Sequence, residues 1–276
     1  MLKWIYSNLT ISLSSQAFVL HQHAIWWKKK SQLITQNFAP AKTVDNFQSH
    51  FEQMARVIHE NFLTGCATTL IISDELVRQW VVDPPKNVES LDDLKAAVSA
   101  KFQALYGDLP SAWQIEADWK TDSPFLASAI PQNLAVALDV LAKKCQLEWR
   151  QIAPHSVMLF NRWRNILPRN TWMVTFENGR LSLTVTNAKR VVSAYRHISC
   201  QASEISTEQN FIKLLNREAL RMNLPSPKQV YFPRIWNEFN WLAQATDKSV
   251  RFIVLSIIYP DVISLVPAMK LASSEA

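Results

Sequence analysis

Few side chains in this chain of 276 residues stand where chemistry would need them. His21-Gln22-His23 puts two imidazoles on one side of an extended segment, because residues i and i+2 of a strand share a face. A metal would need further ligands, and none stands beside them in the sequence. A surface strand is the simpler reading. Cys145 follows Lys143-Lys144, whose charges would favour a thiolate, and His155 follows as a candidate base. Cys145 nevertheless sits at a helix end with Leu147 beyond it, which suits a buried structural cysteine. Glu116 and Asp118 share one strand face but lack an opposing acid, so a paired-carboxylate hydrolase has only half its machinery. No Ser-His-Asp grouping can be assembled.

Glycine is scarce: the chain has 3, where average usage would give roughly 19. Gly65, Gly107 and Gly179 cannot form a phosphate-binding loop, a GxGxxG turn or a GxSxG elbow. Tryptophan is the positive signal, with 11 in the chain. Several alternate with arginine, in Arg78-Gln79-Trp80, Trp149-Arg150 and Arg162-Trp163-Arg164. Tryptophan and arginine dominate protein-interface hot spots, and the same pair serves single-stranded nucleic-acid grooves. The plainer reading is a core tryptophan with a snorkelling neighbour. Trp80 and Trp163 are the two expected to lie outside a pure core.

Basic residues exceed acidic ones, 29 to 23, for a formal charge of +6 and a pI near 9.2. That balance favours anionic partners. The one basic run, Lys28-Lys29-Lys30, reads as a solvated loop. Three cysteines with no CxxC spacing speak against a disulfide framework or a zinc knuckle. The first residues lack a signal-peptide core, and the longest apolar run, 252–259, is cut by Pro260-Asp261 and is too short to span a bilayer. The expectation is a cytoplasmic protein.

The elements follow from periodicity. Trp4, Tyr6, Leu9, Ile11 and Leu13, then Phe18 and Leu20 beyond a polar turn, alternate like paired strands. Val44, Phe47, Phe51, Met54, Ile58 and Phe62 trace one helix face. Strands are predicted over 68–72 and 76–82, the second halted by Pro84-Pro85. Ser90 is the expected N-cap of a helix bearing Leu94, Val98 and Phe102, with Gly107 beyond its end. Strands over 113–119 and 125–130 precede a helix that starts near Pro131, then a strand over 147–152. Further strands at 171–176, 180–186 and 190–196 are joined by an Asn178-Gly179 hairpin turn and by Asn187-Ala188. Ser206 with Gln209 reads as a capping box for the next helix. A strand at 230–232, a short helix around 236–242 and a strand at 251–258 follow. This order predicts a mixed α/β fold of two ribonuclease-H-like halves, the actin-like architecture, with boundaries at 1–153 and 154–276 and an extra βαββ subdomain at about 76–130.

Three stretches resemble actin-like proteins of bacterial envelope machines, the PilM family of type IV pili and the GspL-type cytoplasmic domains of type II secretion. They are the strand–turn–strand 70–82 ending at Pro84, the strand–helix–strand passage from Phe125 to Pro154, and the hairpin over 172–185 followed by Arg196. Actin-like ATPases carry Asp and Gly in two hairpin turns that clasp phosphates and metal. Here the first turn is Leu13-Ser14-Ser15-Gln16, with neither residue. The second, Phe176-Glu177-Asn178-Gly179, keeps one glycine and an acid. A late Gly-Gly adenosine contact is replaced by Tyr231-Phe232-Pro233-Arg234.

The resemblance therefore implies a non-catalytic member with no cofactor and no catalytic, cofactor-binding or metal-ligating residue. Its implied partner is an inner-membrane pilus or secretion assembly protein with a short cytoplasmic peptide, and an anionic membrane surface is a further expected contact, which would make the protein peripheral at the inner membrane. Arg78, Trp80, Arg162, Trp163 and Arg164 are the expected partner-binding residues. Two alternatives stay open: a Trp/Arg-rich nucleic-acid-binding module, although nucleic acid is not the expected partner, and a nucleotide-binding ATPase of the actin-like class.

Overall fold

The computed structural model describes residues 8–23, 31–38, 47–233, 237–247 and 249–255. Trp4, Tyr6, the Lys28-Lys29-Lys30 run, Val44, Arg234, Trp236 and the end of the last predicted strand lie outside the described residues.

The chain opens with β1 (Asn8–Leu13), β2 (Ala17–His23), β3 (Gln32–Asn37), α1 (Phe47–Glu60) and β4 (Ala67–Ile72). A smaller unit follows: β5 (Arg78–Val82), α2 (Leu91–Tyr106), β6 (Trp113–Ala117) and β7 (Phe125–Pro131). Then come α3 (Gln132–Cys145), β8 (Glu148–Pro154) and α4 (His155–Trp163). The remainder is β9 (Trp172–Glu177), β10 (Arg180–Thr186), β11 (Val192–Ser199), α5 (Ala202–Ile205), α6 (Glu208–Arg221), β12 (Gln229–Phe232), a 3-10 segment at Asn237–Gln244 and β13 (Arg251–Val254).

Two five-stranded sheets share one plan. The first runs β3-β2-β1-β4-β8 and the second β11-β10-β9-β12-β13. In each, three strands meander antiparallel and two more add in parallel. Parallel strands need helices on the sheet faces, and the burial follows that need. In the first half, Leu9, Ile11 and Leu13 pack under α1 and α3 with Met54, Ile58, Leu134 and Leu138. In the second, Val174, Leu181 and Leu183 meet Phe211, Leu214 and Leu215 of α6. The opposite face carries Met173 and Tyr231, covered by Leu159, Phe160 and Trp163 of α4. The smaller unit is a β5-β7-β6 sheet with its own core around Trp80, Val98, Phe102 and Phe125.

Local signals set the element ends. Ser90 accepts the Asp93 amide and Asp93 reaches back, a complete capping box, and Gly107 closes α2 in the left-handed conformation. Asn178 and Gly179 both have positive φ, 49° and 71°, as a two-residue hairpin turn demands.

Four expectations change. The expected strand over 76–82 begins only at Arg78, because Asp74–Leu76 form a 3-10 turn. The cap of α6 is Thr207, which accepts from the Asn210 amide, and not Ser206. Helix α4 was not anticipated: its buried residues are His155 and Ser156, so it shows no apolar stripe. Strand β3 was also missed, since its residues are exposed or half-buried and alternate weakly.

Candidate functional site

The ends of the two central strand systems converge on a buried polar cluster. Asp74 lies in the turn after β4, His155 opens α4, and Glu177 is the last residue of β9. All three are buried, at 2%, 5% and 7% exposure. One ligand atom from each lies within 4.8 Å of the others. His155 Nδ1 stands 3.4 Å from Glu177 Oε2.

Asp74 holds the cluster together. Its Oδ1 accepts from the Ser156 amide at 3.1 Å, the Ser156 hydroxyl at 2.9 Å and Gln79 Nε2 at 3.2 Å. Its Oδ2 accepts from the Ser182 hydroxyl at 2.9 Å. The carboxylate thus caps the N-terminal turn of α4, where the amides are free and the helix dipole favours an anion. Gln79 also donates to the Tyr195 hydroxyl at 2.8 Å, and Ser182 meets His197 Nδ1 at 2.8 Å. The network therefore spans the turn after β4, β5, α4, β10 and β11.

Burial dominates its electrostatics. It raises the Asp74 pKa against the pull of His155. Burial would raise Glu177 as well, but His155, Ser73 and the Asp74 amide together hold it below its usual value. Burial lowers His197, with Asp74 opposing. Tyr195 is pushed well above 10.0 by burial and then by the Asp74 charge, so it remains a neutral hydroxyl.

The first hairpin turn is occupied from within. The Glu75 carboxylate accepts from the Ser15 amide at 2.8 Å and from the Ser15 hydroxyl at 2.7 Å. Ser14 spends its own hydroxyl on the turn, donating to the Ala17 carbonyl and accepting the Ala17 amide. Beside the cluster, between β5, α2, β11 and the end of α6, lies a cleft of about 700 Å³. Several of its cations pair with the chain's own acids: Arg78 with Asp108, Lys101 with Asp83, and Arg196 and Arg221 with the fully buried Glu218, while Arg180 also lines it.

The residues singled out from sequence fall into two separate clusters. Trp80 is a core residue at 2% exposure, packed on Phe102 and Tyr106. This corrects its expected placement outside the core: α2 covers that face of β5. Arg78, on the same face, lies over the rings of Tyr106 and Trp113 at 4.6 and 4.7 Å and is partly exposed. Trp163 is half-buried in the α4 cluster, between the exposed Arg162 and Arg164. Cys145 is fully buried, and burial raises its pKa despite Lys144, which makes it an inert thiol. His21 and His23 do share a face, with ring centroids 4.0 Å apart. Asp74 and Glu177 were not singled out as site residues, and His155 was weighed only beside Cys145. No local motif marks the trio, because only the fold brings β4, β8 and β9 to one point.

No protein-family model matches the chain, and no curated protein matches its sequence. Solved structures match over most of its length. A Bacteroides thetaiotaomicron protein with an actin-like ATPase fold and unknown function superposes with a TM-score of 0.60, 11% identity, and coverage of 92% of this chain and 94% of that one. The PilM–PilN type IV pilus biogenesis complex gives 0.59 at 11% identity, over 90% and 88% of the two chains. The cytoplasmic domain of EpsL, an inner-membrane component of the type II secretion system of Vibrio cholerae, gives 0.51 at 12% identity over 83% of each. Two five-stranded sheets of one strand order, together with these matches, give this chain the actin-like fold.

Proposed function

We propose that this chain is a non-catalytic, cytoplasmic actin-like assembly protein that docks an inner-membrane pilus or secretion component through a short cytoplasmic peptide. The observation that carries the reading is Glu75 on the first hairpin turn: the donors that would face a phosphate are held by the chain's own carboxylate at 2.7 and 2.8 Å. An entering phosphate would have to displace that carboxylate and accept its charge nearby. The Asp74 network adds to the cost of opening, since it joins both halves across the cleft.

The docking surface we favour is a groove of about 410 Å³ where β6 and β7 face α3 and β8. Strand β6 is an edge of its sheet, so its backbone offers a template for an added strand. Val136 and Ile152 line the groove and are 52% and 42% exposed. Glu116 and Asp139 stand on its walls and suit a basic segment. Cytoplasmic segments flanking a membrane helix carry such Lys and Arg residues. The likeness of the fold to a chain of the PilM–PilN type IV pilus biogenesis complex supports a partner-docking role. Arg78, the exposed Arg162 and Arg164 and the half-buried Trp163 remain candidate contacts for the partner. No helix among the described residues is long and apolar enough to cross a membrane.

A photo-crosslinking residue at Gln114 or Val136, introduced in the native host, tests the docking. Crosslinks to a single-span membrane protein near its cytoplasmic end are expected; crosslinks confined to soluble proteins would overturn the reading. The fold of actin-like ATPases favours the second reading, nucleotide binding. Thermal-shift titration with millimolar magnesium ATP decides between them. No shift is expected, and a magnesium-dependent rise of several degrees would put the nucleotide reading first.

A further inference from the structure

The Asp74–His155–Glu177 cluster contains more negative charge than its own groups neutralise. Two buried carboxylates share His155, and the only other imidazole near them, among the described residues, is His197, which reaches Asp74 through Ser182. Asp74 is fully hydrogen-bonded, but neither oxygen of Glu177 receives a hydrogen bond of ordinary geometry, although Ser73, the Asp74 amide and His155 lie close enough to lower its pKa. The Ser73 hydroxyl beside it is likewise buried without a hydrogen bond of ordinary geometry. Native structures rarely leave a buried carboxylate oxygen so placed, and an unseen ion is one standard reason for it.

We propose that Asp74, His155 and Glu177 bind one Zn²⁺ ion between the two halves of the molecule. The geometry is close to what zinc needs. Bonds of about 2.0–2.2 Å put neighbouring ligands of a tetrahedral zinc roughly 3.3–3.6 Å apart. His155 Nδ1 and Glu177 Oε2 are 3.4 Å apart. The third ligand atom lies within 4.8 Å, so a small inward movement of Asp74 completes three ligands and leaves a fourth place for water. Charge agrees: two carboxylates and a neutral imidazole cancel the ion. The ligand set also selects. Magnesium and calcium prefer all-oxygen shells of six or more, whereas one imidazole with two carboxylates suits zinc.

An outer shell is already in place. Ser156, Gln79 and Ser182 hold Asp74 from three elements, as hydrogen-bond partners of a metal-ligating carboxylate commonly do. Asp74 follows β4 of the first sheet, Glu177 ends β9 of the second, and His155 opens α4, which packs on the second sheet. The ion would therefore fasten the halves, independently of any docking role.

The test uses the full chain, stripped with a chelator and returned to metal-free buffer. Added Zn²⁺ should leave one ion per chain after dialysis, read by elemental analysis. At about 100 times its Kd it should raise the melting temperature by about 5–10 °C, while Mg²⁺ should not. Glu177→Gln and His155→Gln should lose both the ion and the shift. Paired His21→Gln and His23→Gln, which remove the other adjacent imidazoles, should keep both. Zinc held equally by Glu177→Gln, or no zinc held by the wild type, would overturn the site. Should the cluster variants fail to fold, Co²⁺ on the wild-type chain decides: tetrahedral absorption bands that Zn²⁺ competes away are expected, and their absence sinks the proposal.

Discussion

Arg78 and Trp80 share one face of β5, and α2 decides their roles. Trp80 is sealed beneath Phe102 and Tyr106, whereas Arg78 lies over Tyr106 and Trp113 with its guanidinium paired to Asp108. Trp80→Ala should cost about 3–5 kcal/mol, as deletion of a buried indole does. Arg78→Ala should cost about 1 kcal/mol or less, because its ion pair and its ring contacts are partly exposed. Urea denaturation of both variants checks the contrast; equal losses would mean that β5 is seated differently. The Arg-X-Trp spacing was legible in the sequence, but its meaning was not. Alternation places two residues on one face without saying whether a helix lies over it. The same limit hid Asp74, His155 and Glu177, which are far apart in sequence and gather only when β4, β8 and β9 end together.

Among the elements, α2 was the most legible because every local signal agrees. Ser90 caps it, Asp92 and Asp93 occupy its first turn, Leu94, Val98 and Phe102 form its buried stripe, and Gly107 ends it. Ser90→Ala removes the acceptor for the Asp93 amide and should cost about 1 kcal/mol, seen as a lower urea midpoint at unchanged slope. Helix α4 is the counter-example. Pro154 precedes it, its start is polar, and its cap comes from Asp74, a residue distant in sequence. A helix whose first amides are satisfied from across the fold leaves no capping signal of its own. The hairpin β9–β10 lies between these cases: Asn178-Gly179 announced the turn, but not that Glu177 before it would be buried.

At the scale of the whole molecule, the repeated order of meandering strands followed by helix and strand was enough to indicate two halves of one plan, and the sheets have that order. The polar interior between them was not foreseeable, and it sets the response to acid. Burial holds His197 below 6.5, so as pH falls the unfolded chain takes up that proton first and stability declines from about 6.5 downward. Glu177, held below 4.5, adds a loss of the same sign beneath that value. Asp74, raised above 3.8, works the other way, because the native state binds its proton first. In chelator-treated protein the urea midpoint should fall between pH 7 and 5, and His197→Gln should flatten that slope. A wild-type midpoint that rises on acidification would show that Asp74 dominates instead.

Gln79 carries a mechanical consequence. Its side-chain amide lies within hydrogen-bonding reach of Asp74 in the first half, of Ser156 at the start of α4 and of Tyr195 in the second sheet, while its backbone carbonyl accepts from Tyr106 of α2. A pull on the three-stranded unit therefore reaches both large sheets through this side chain in parallel with the chain connections at Val77 and Pro131. Tension is shared between a polar joint that water can replace and covalent links that it cannot.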